Sequence, residues 1–169
     1  MAELFDIVND ADEVVGRATR EQVHGNPALV HRVVHVLLFA PDGRLYLQRR
    51  APDKDVQPDK WDTSVGGHVD AGESYDVAAR RELREELGVE VAAGEPGVRL
   101  QPLYKYTHSN EIESEMVQSY RLLWDGPVTP NPAEISEGRF WSLGEIDASP
   151  PELFTPNFLH ELSRYRAQT

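Results

Sequence analysis

Three glutamates within one short segment carry the strongest chemical signal in the sequence. Glu82, Glu85 and Glu86 would fall on one arc of a helix, at the border of its apolar stripe. Three carboxylates at such a border repel one another, and a hard divalent cation relieves the repulsion by taking oxygen ligands. The alternative is a solvated helix in which Arg81 and Glu85 pair four residues apart. The helix by itself does not decide between the two.

One long helix has to position these carboxylates. We predict it over Glu73–Leu87, with Gly88 ending it at a position where glycine is favoured. A second helix is predicted over Pro156–Arg166, with proline in its first turn. The β-branched and alternating segments that predict strands are Leu4–Val8, Glu13–Arg17, His31–Ala40, Arg44–Gln48, Trp61–Val65, Val98–Thr107, Met116–Trp124 and Gly138–Trp141. The pattern predicts an α+β fold that begins with a β-hairpin.

The composition limits the classes of function. A chain of 169 residues without repeats or a composition break predicts a single domain over residues 1–169. A net charge of −12 argues against binding to nucleic acid or to an anionic membrane. The chain has no cysteine, which excludes thiol nucleophiles and thiolate metal sites. No signal peptide or membrane span is visible, so we expect a cytoplasmic protein.

The spacing around the helix is more specific than the helix itself. From Gly67 to Val89 the chain reads GHVDAGESYDVAARRELREELGV. This segment resembles a complete Nudix box, with its defining residues at the correct spacing. The resemblance implies a Nudix hydrolase with an α/β/α sandwich around a mixed β-sheet.

The same resemblance assigns roles to residues of the box. Glu82, Glu85 and Glu86 would be catalytic and would bind Mg²⁺ or Mn²⁺, with the Gly67 carbonyl as a further ligand. The residues that would hold the box together are Glu73, Arg81 and Gly88. A metal cluster suits an anionic diphosphate because it neutralises the phosphate oxygens and activates water. Nearby bases that would hold the remaining phosphate charge are Arg49, Arg50, Lys54 and Lys60.

Four segments also resemble their counterparts in isopentenyl-diphosphate isomerase, an enzyme with the Nudix fold. They are HGNPALVHR from His24, QRRAPDK from Gln48, WDTSVGGH from Trp61 and EIESEM from Glu111. In that enzyme three histidines and two glutamates hold a second metal ion. The matching positions here are His24, His31, His68, Glu113 and Glu115. Such a ligand set implies a second divalent ion, Mn²⁺ or Zn²⁺.

One departure from the isomerase decides our interpretation. Gly66 stands where the isomerase has its catalytic cysteine, so half of the acid/base pair that isomerisation needs is missing. We also expect the lost side chain to open space above Gly66. The sequence therefore predicts a hydrolase that cleaves a diphosphate linkage in a nucleoside diphosphate derivative or related organic diphosphate. The general base would be one of Glu82, Glu85, Glu113 and Glu115.

Two alternatives stay open at this point. One is an isopentenyl-diphosphate isomerase, and the other is a non-catalytic module that binds nucleotides. The expected partner is a small-molecule diphosphate. Nudix relatives often dimerise, so a homodimer is one option, but the sequence does not determine the oligomeric state.

Overall fold

A mixed sheet forms the centre of the computed structural model, which describes residues 3–54, 57–92 and 100–168. Nine strands make up this sheet in the described part of the chain. They are β1 (Leu4–Val8), β2 (Val14–Thr19), β3 (Val30–Phe39), β4 (Leu45–Arg50), β5 (Trp61–Asp62), β6 (Val65–His68), β7 (Leu100–Ser109), β8 (Ser114–Leu123) and β9 (Ile135–Trp141).

The helices flank the sheet. They are α1 (Arg20–Val23), α2 (Tyr75–Leu87), α3 (Leu143–Ala148) and α4 (Pro156–Ala167), with a 3-10 turn at Pro151–Leu153. No helix among the described residues combines the length and the apolar character that a membrane crossing requires.

Strand β3 organises the sheet because it pairs with four neighbours. It runs antiparallel to β1, β4 and β6, and parallel to β8 over ten residue pairs. The hairpin of β1 and β2, the pairing of β9 with β4 and the pairing of β7 with β8 extend the sheet on both sides. The parallel pair makes the sheet mixed, as predicted.

Alternation along β3 divides the core into two layers. Val34, Val36 and Leu38 belong to a cluster with the apolar face of α2. Leu37 and Phe39 face the other way and belong to a cluster with α4. Since successive side chains of a strand point to opposite faces, each buried face needs its own cover. The outcome is the predicted α/β/α arrangement.

The start and end of α2 follow from local chemistry. The Ser74 side chain accepts a hydrogen bond from the Val77 backbone amide at 3.2 Å, which caps the first turn. Gly88 ends the helix with a φ of 64°, in the left-handed region that glycine adopts without strain. The helix therefore begins at Tyr75, two residues later than the predicted Glu73, and ends at Leu87 as predicted.

Other predicted boundaries need correction. The segment Trp61–Val65 is not one strand, because β5 ends at Asp62 and β6 begins at Val65. The pair Gly66 and Gly67 thus lies inside β6 and pairs with β3. Strand β9 begins at Ile135, three residues before the predicted Gly138. The predicted start of β7 at Val98 lies outside the described residues, and the short helices α1 and α3 were not predicted.

Candidate active site

Arg81 joins the loop before α2 to the helix itself. Its Nε and Nη2 donate to the two carboxylate oxygens of Glu73 at 2.8 and 2.9 Å. Nη2 also donates to the His68 carbonyl at 3.0 Å, and Nη1 donates to Glu82 Oε1 at 2.8 Å. A planar guanidinium is suited to several such bonds at once. This geometry fits the predicted role of Glu73 and Arg81 in holding the loop against the helix.

Gly67 lies against the carboxylate of Glu82. A Cβ atom at residue 67 would lie 2.3 Å from Glu82 Cδ, which is well inside van der Waals contact. Any side chain at this position would therefore push the Glu82 carboxylate away. The glycine leaves room for that carboxylate, whose side chain is 15% exposed.

Glu86 is the most deeply buried of the three glutamates, with 6% of its surface exposed. Its Oε1 accepts from Gln48 Nε2 at 3.0 Å, whereas its Oε2 is buried and has no hydrogen-bond partner among the described residues. Burial raises the pKa of Glu86 well above its usual value; the bond from Gln48 opposes this and the nearby charge of Glu82 adds to it. A nearby cation would stabilise the ionised form of such a carboxyl group.

Burial also raises the pKa of Glu82, although Arg81 opposes the shift. Two adjoining carboxyl groups that are held out of water, one of them with an unpaired oxygen, suit an oxygen-seeking divalent cation. The residues present therefore fit the ion that the Nudix box implies.

Glu85 is placed differently from the other two. Its side chain is 53% exposed and lies 3.3 Å from Arg81 Nη1. The structure thus groups Gly67, Glu82 and Glu86, and it turns Glu85 towards Arg81 and solvent. The predicted role of Glu85 as a metal ligand remains a prediction.

The three predicted histidine ligands, His24, His31 and His68, lie together on the face of β6 opposite to α2. The ring centroid of His31 lies 6.2 Å from that of His24 and 5.3 Å from that of His68. Their candidate ligand atoms lie within 4.8 Å of one another, and the same holds for the set His31, Glu113 and Glu115. His31 belongs to both sets, so all five predicted ligands of the second site converge.

His31 is the central residue of this cluster. It is fully buried, and neither ring nitrogen has a hydrogen-bond partner of normal geometry among the described residues. Its Nε2 lies 3.9 Å from a carboxylate oxygen of Glu113 and 3.9 Å from one of Glu115. A buried imidazole whose nitrogens make no hydrogen bond of normal geometry is costly unless something binds it.

The protonation states of the cluster suit metal binding. Burial lowers the pKa of His31 to about 4 and that of His68 to about 3, and neighbouring histidines add to both shifts. Neutral imidazoles keep the lone pair that a metal requires. Burial next to Glu113 raises the pKa of Glu115 to about 7.

Gly66 faces away from the acidic group. A Cβ atom there would lie 3.4 Å from Cδ2 of His35, which pairs with Gly66 across β3 and β6. The space that we expected above Gly66 is therefore bounded by an imidazole ring. His35 was not predicted from the sequence, although the alternation of β3 places it on the same face as His31.

The four predicted phosphate-binding cations lie on β4 and in the loop that follows it. Arg49 Nε donates to the Asp59 carbonyl at 3.0 Å, and its Nη1 lies 3.5 Å from Glu137. Arg50 Nη1 lies 3.6 Å from Asp62. Lys54 and Lys60 belong to the loop between β4 and β5. Arg49 and Arg50 therefore each lie close to at least one acidic side chain.

Comparison with known proteins decides the family. The NUDIX domain model matches residues 29–162, which covers most of the chain and includes the box. The chain belongs to the NUDIX domain family. Nudix enzymes hydrolyse diphosphate linkages in small molecules, and they generally use divalent metal ions. The chain is accordingly a Nudix hydrolase.

Individual relatives within this family carry hydrolase and isomerase names. A Nudix hydrolase of Deinococcus radiodurans is 39% identical over 141 residues, which cover 82% of this chain and 78% of that protein. An isopentenyl-diphosphate Delta-isomerase of Nocardia farcinica is 33% identical, over 89% of this chain and 87% of that protein. The crystal structure of DR0079 from Deinococcus radiodurans superimposes with a TM-score of 0.78 at 33% identity, over 96% of this chain and 98% of that one.

The buried histidines predict how stability depends on pH. The pKa values of His31 and His68 are lowered from 6.5 to about 4 and about 3 on folding, so the unfolded chain binds more protons over this range. The free energy of unfolding of the metal-free protein should therefore fall as the pH drops from 6.5 towards 4. Urea unfolding in the presence of EDTA, repeated across this pH range, measures the free energy of unfolding.

The variant His31→Gln separates this effect from the titration of carboxylates elsewhere. It removes one group with a lowered pKa, so its stability should fall less steeply over the same pH range. Equal slopes for the variant and the wild type would contradict the prediction.

Proposed function

We propose that this Nudix hydrolase is a metal-dependent pyrophosphohydrolase, which cleaves a nucleoside diphosphate linked to a group X by attack of water at phosphorus. The observation that carries this proposal is Glu86, a buried carboxyl group with an unpaired Oε2 beside Glu82. Mg²⁺ or Mn²⁺ is the partner that this pair suits, because both ions prefer oxygen ligands.

Each residue of the box then has a defined task. Glu82 and Glu86 hold the ion, and we assign Glu85 and the Gly67 carbonyl as further ligands. Arg81 fixes Glu82 and the carbonyl of His68, at the end of β6, in relation to each other. The bound ion would neutralise the phosphate oxygens and activate water. A carboxylate accepts the proton of the attacking water, and the candidates are Glu82, Glu85, Glu113 and Glu115.

The variant Glu86→Gln tests the acidic site. It keeps the shape and the bond from Gln48 but removes the charge, so we expect hydrolysis to fall by about two orders of magnitude or more. The metal-free variant should also be more stable than the wild type at neutral pH. Because the pKa of Glu86 is raised on folding, its ionisation opposes folding as the pH rises above 4.5.

The matched control is Glu90→Gln, which neutralises an exposed glutamate just beyond α2. Its activity and melting temperature should stay close to those of the wild type. Phosphate release from a panel of nucleoside diphosphate derivatives and thermal unfolding with and without Mg²⁺ provide the measurements. Near wild-type hydrolysis by Glu86→Gln would rule out the assignment.

We assign a second divalent ion, Mn²⁺ or Zn²⁺, to the cluster around His31. This assignment is supported by two geometrically compatible ligand sets and by the buried imidazole of His31, which makes no hydrogen bond of normal geometry among the described residues. Calorimetric titration with Mn²⁺ should resolve two classes of site in the wild type and one in His31→Gln. The control His160→Gln changes an exposed histidine outside both sets and should retain both classes. If His31→Gln bound as many ions as the wild type, the second site would lie elsewhere.

We assign the remaining phosphate charge to four cations: Arg49, Arg50, Lys54 and Lys60. Replacing all four by glutamine should raise the substrate KM, since local cations are what attract an anion to a protein with a net charge of −12. An unchanged KM would show that these four residues do not bind the substrate.

An isomerase is the second candidate function. The likeness to the Nocardia farcinica isomerase supports it, whereas Gly66 and the absence of cysteine from the sequence oppose it. Incubation with isopentenyl diphosphate in deuterated water separates the candidates: an isomerase incorporates deuterium without releasing phosphate. Nucleotide binding without either reaction would instead indicate a non-catalytic module.

A further inference from the structure

Arg164 of α4 is a cation without an acidic partner. Its Nη2 donates to His160 Nε2 at 3.0 Å, and its guanidinium carbon lies 4.1 Å from the centroid of the Tyr106 ring. No carboxylate of the described residues lies within ion-pair distance of it, and its Nε is buried without a hydrogen-bond partner among them. Arg166, two residues further along α4, instead pairs with both carboxylate oxygens of Asp147 at 2.9 and 3.0 Å.

The carboxylate nearest to Arg164 along its own helix is engaged elsewhere. Glu161 is fully buried and accepts from His35 Nδ1 at 2.8 Å. Its oxygens also accept from three hydroxyl groups, those of Tyr104, Tyr106 and Ser119. Burial lowers the pKa of His35, but Glu161 outweighs this effect and raises that pKa, so the two groups favour an ion pair in which their charges offset each other. Glu161 therefore does not neutralise Arg164.

Two imidazole rings lie beside this guanidinium. His160 is exposed, and its ring centroid lies 6.4 Å from that of His108 on β7. Burial lowers the pKa of His108, and His160 lowers it further, whereas Glu113 opposes the shift. Basic groups therefore gather where β7 meets α4, in a chain whose net charge is −12. An anion bound among them would relieve their mutual repulsion.

The crevice between β7 and α4 limits what can bind there. Its wall includes Tyr106, His108, Asn157 and His160, and its cavity volume of about 10 Å³ leaves room for about one water molecule. A ring system or a hydrocarbon chain does not fit inside, so a ligand has to bind at the rim. Asn157 and His160 are exposed at this rim. The acidic side chain of the wall is Glu115, which is assigned above to the second ion.

A phosphate group suits the donors at the rim. A guanidinium has five N–H donors in a planar fork that matches phosphate oxygens, and the bond to His160 uses one of them. The amide of Asn157 and the imidazole N–H groups add uncharged donors. Charge-assisted hydrogen bonds of this kind are stronger than neutral ones. One tetrahedral anion is also small enough to bind without entering the crevice.

The crevice adjoins the acidic site through β6. His35 belongs to the wall of the crevice and faces Gly66, whereas the next residue, Gly67, faces Glu82. The Cα atoms of the two glycines are about 3.8 Å apart, as in any trans peptide. A substrate that is held by its diphosphate at the acidic site therefore passes two residues without side chains on its way towards α4.

We propose that Arg164, together with His108 and His160, binds a phosphate group that the substrate carries in addition to its scissile diphosphate. The proposal rests on the diphosphate hydrolase proposed above, and it adds that the enzyme selects derivatives with a phosphomonoester. The two anionic parts of the substrate then bind to separate groups: the diphosphate to the metal ion and the four cations assigned above, and the phosphomonoester to Arg164. Arg164 is in this way a specificity-determining residue.

Binding of matched ligands tests the site without requiring hydrolysis. The protein is freed of metal ions and chelator, and imidazole NMR spectra are recorded with two pairs of diphosphates that differ by one phosphomonoester: NAD with NADP, and dephospho-coenzyme A with coenzyme A. At least one phosphorylated member should shift the signals of His108 and His160 more than its partner does.

Inorganic phosphate separates a phosphate group of the substrate from free phosphate. It should shift the same two signals, but only at higher concentration than the phosphorylated derivative. Equal shifts within both pairs, or no shifts, overturn the proposal. Tighter binding of inorganic phosphate than of either phosphorylated derivative also overturns it, because the site would then serve free phosphate.

Kinetics test the role of Arg164. The variant Arg164→Gln removes the charge and keeps a residue that favours helix, so the KM for the preferred phosphorylated derivative should rise about tenfold. The KM for its unphosphorylated partner should stay within about twofold of the wild type. Arg164→Lys keeps a charge and should recover part of the loss. An equal rise in both KM values overturns the proposal, because a loss of shape affects both substrates alike.

Arg166→Gln is the matched control, since it removes the same charge from the same helix at an exposed residue that pairs with Asp147. Both of its KM values should match those of the wild type. If Arg166→Gln raised the KM for the phosphorylated derivative as much as Arg164→Gln does, the effect would come from net charge, and the proposal would fail. If the wild type hydrolyses no diphosphate, the proposed function fails, and the NMR titration still decides whether the site binds a phosphate group.

Discussion

The guanidinium of Arg81 is the interaction on which the candidate active site depends. It pairs with both oxygens of Glu73, holds the His68 carbonyl and contacts Glu82. One planar cation therefore fixes the loop, the end of β6 and the acidic face of α2 relative to one another. Lysine could not replace it, because an ammonium group lacks the rigid fork that makes these bonds simultaneous. The carboxylate geometry of the box follows from this cation more than from the helix.

Strand β6 separates two kinds of chemistry by its alternation alone. Gly67 faces α2 and leaves room for Glu82, whereas Gly66 faces His35 and His68 joins the histidine cluster. A shift of the strand by one residue would exchange these faces and destroy both sites. Pairing of β6 with β3 over four residues fixes the register, so the central strand determines which chemistry lies on which face.

Features that depend on neighbouring residues could be predicted from the sequence, whereas features that depend on contacts between distant residues could not. The box spans 23 residues, and its pattern predicts α2 and the acidic group without any tertiary information. The role of Arg81 is implied by the resemblance to the Nudix box. The short helices α1 and α3 carry capping boxes, Thr19 with Gln22 and Ser142 with Glu145, but are too short for a helical period to be visible. The bond between His35 and Glu161 joins residues 126 positions apart, and no local pattern predicts it.

Both candidate metal sites contain groups whose pKa values burial shifts away from those in water. Burial raises the pKa of Glu86 well above its usual value and lowers the pKa of His31 to about 4 and that of His68 to about 3. In the metal-free chain, the buried Oε2 of Glu86 and the buried imidazole of His31 cost stability, because neither makes a hydrogen bond of normal geometry among the described residues. A cation would offset both costs on binding, so metal affinity and folding stability are coupled through the same groups.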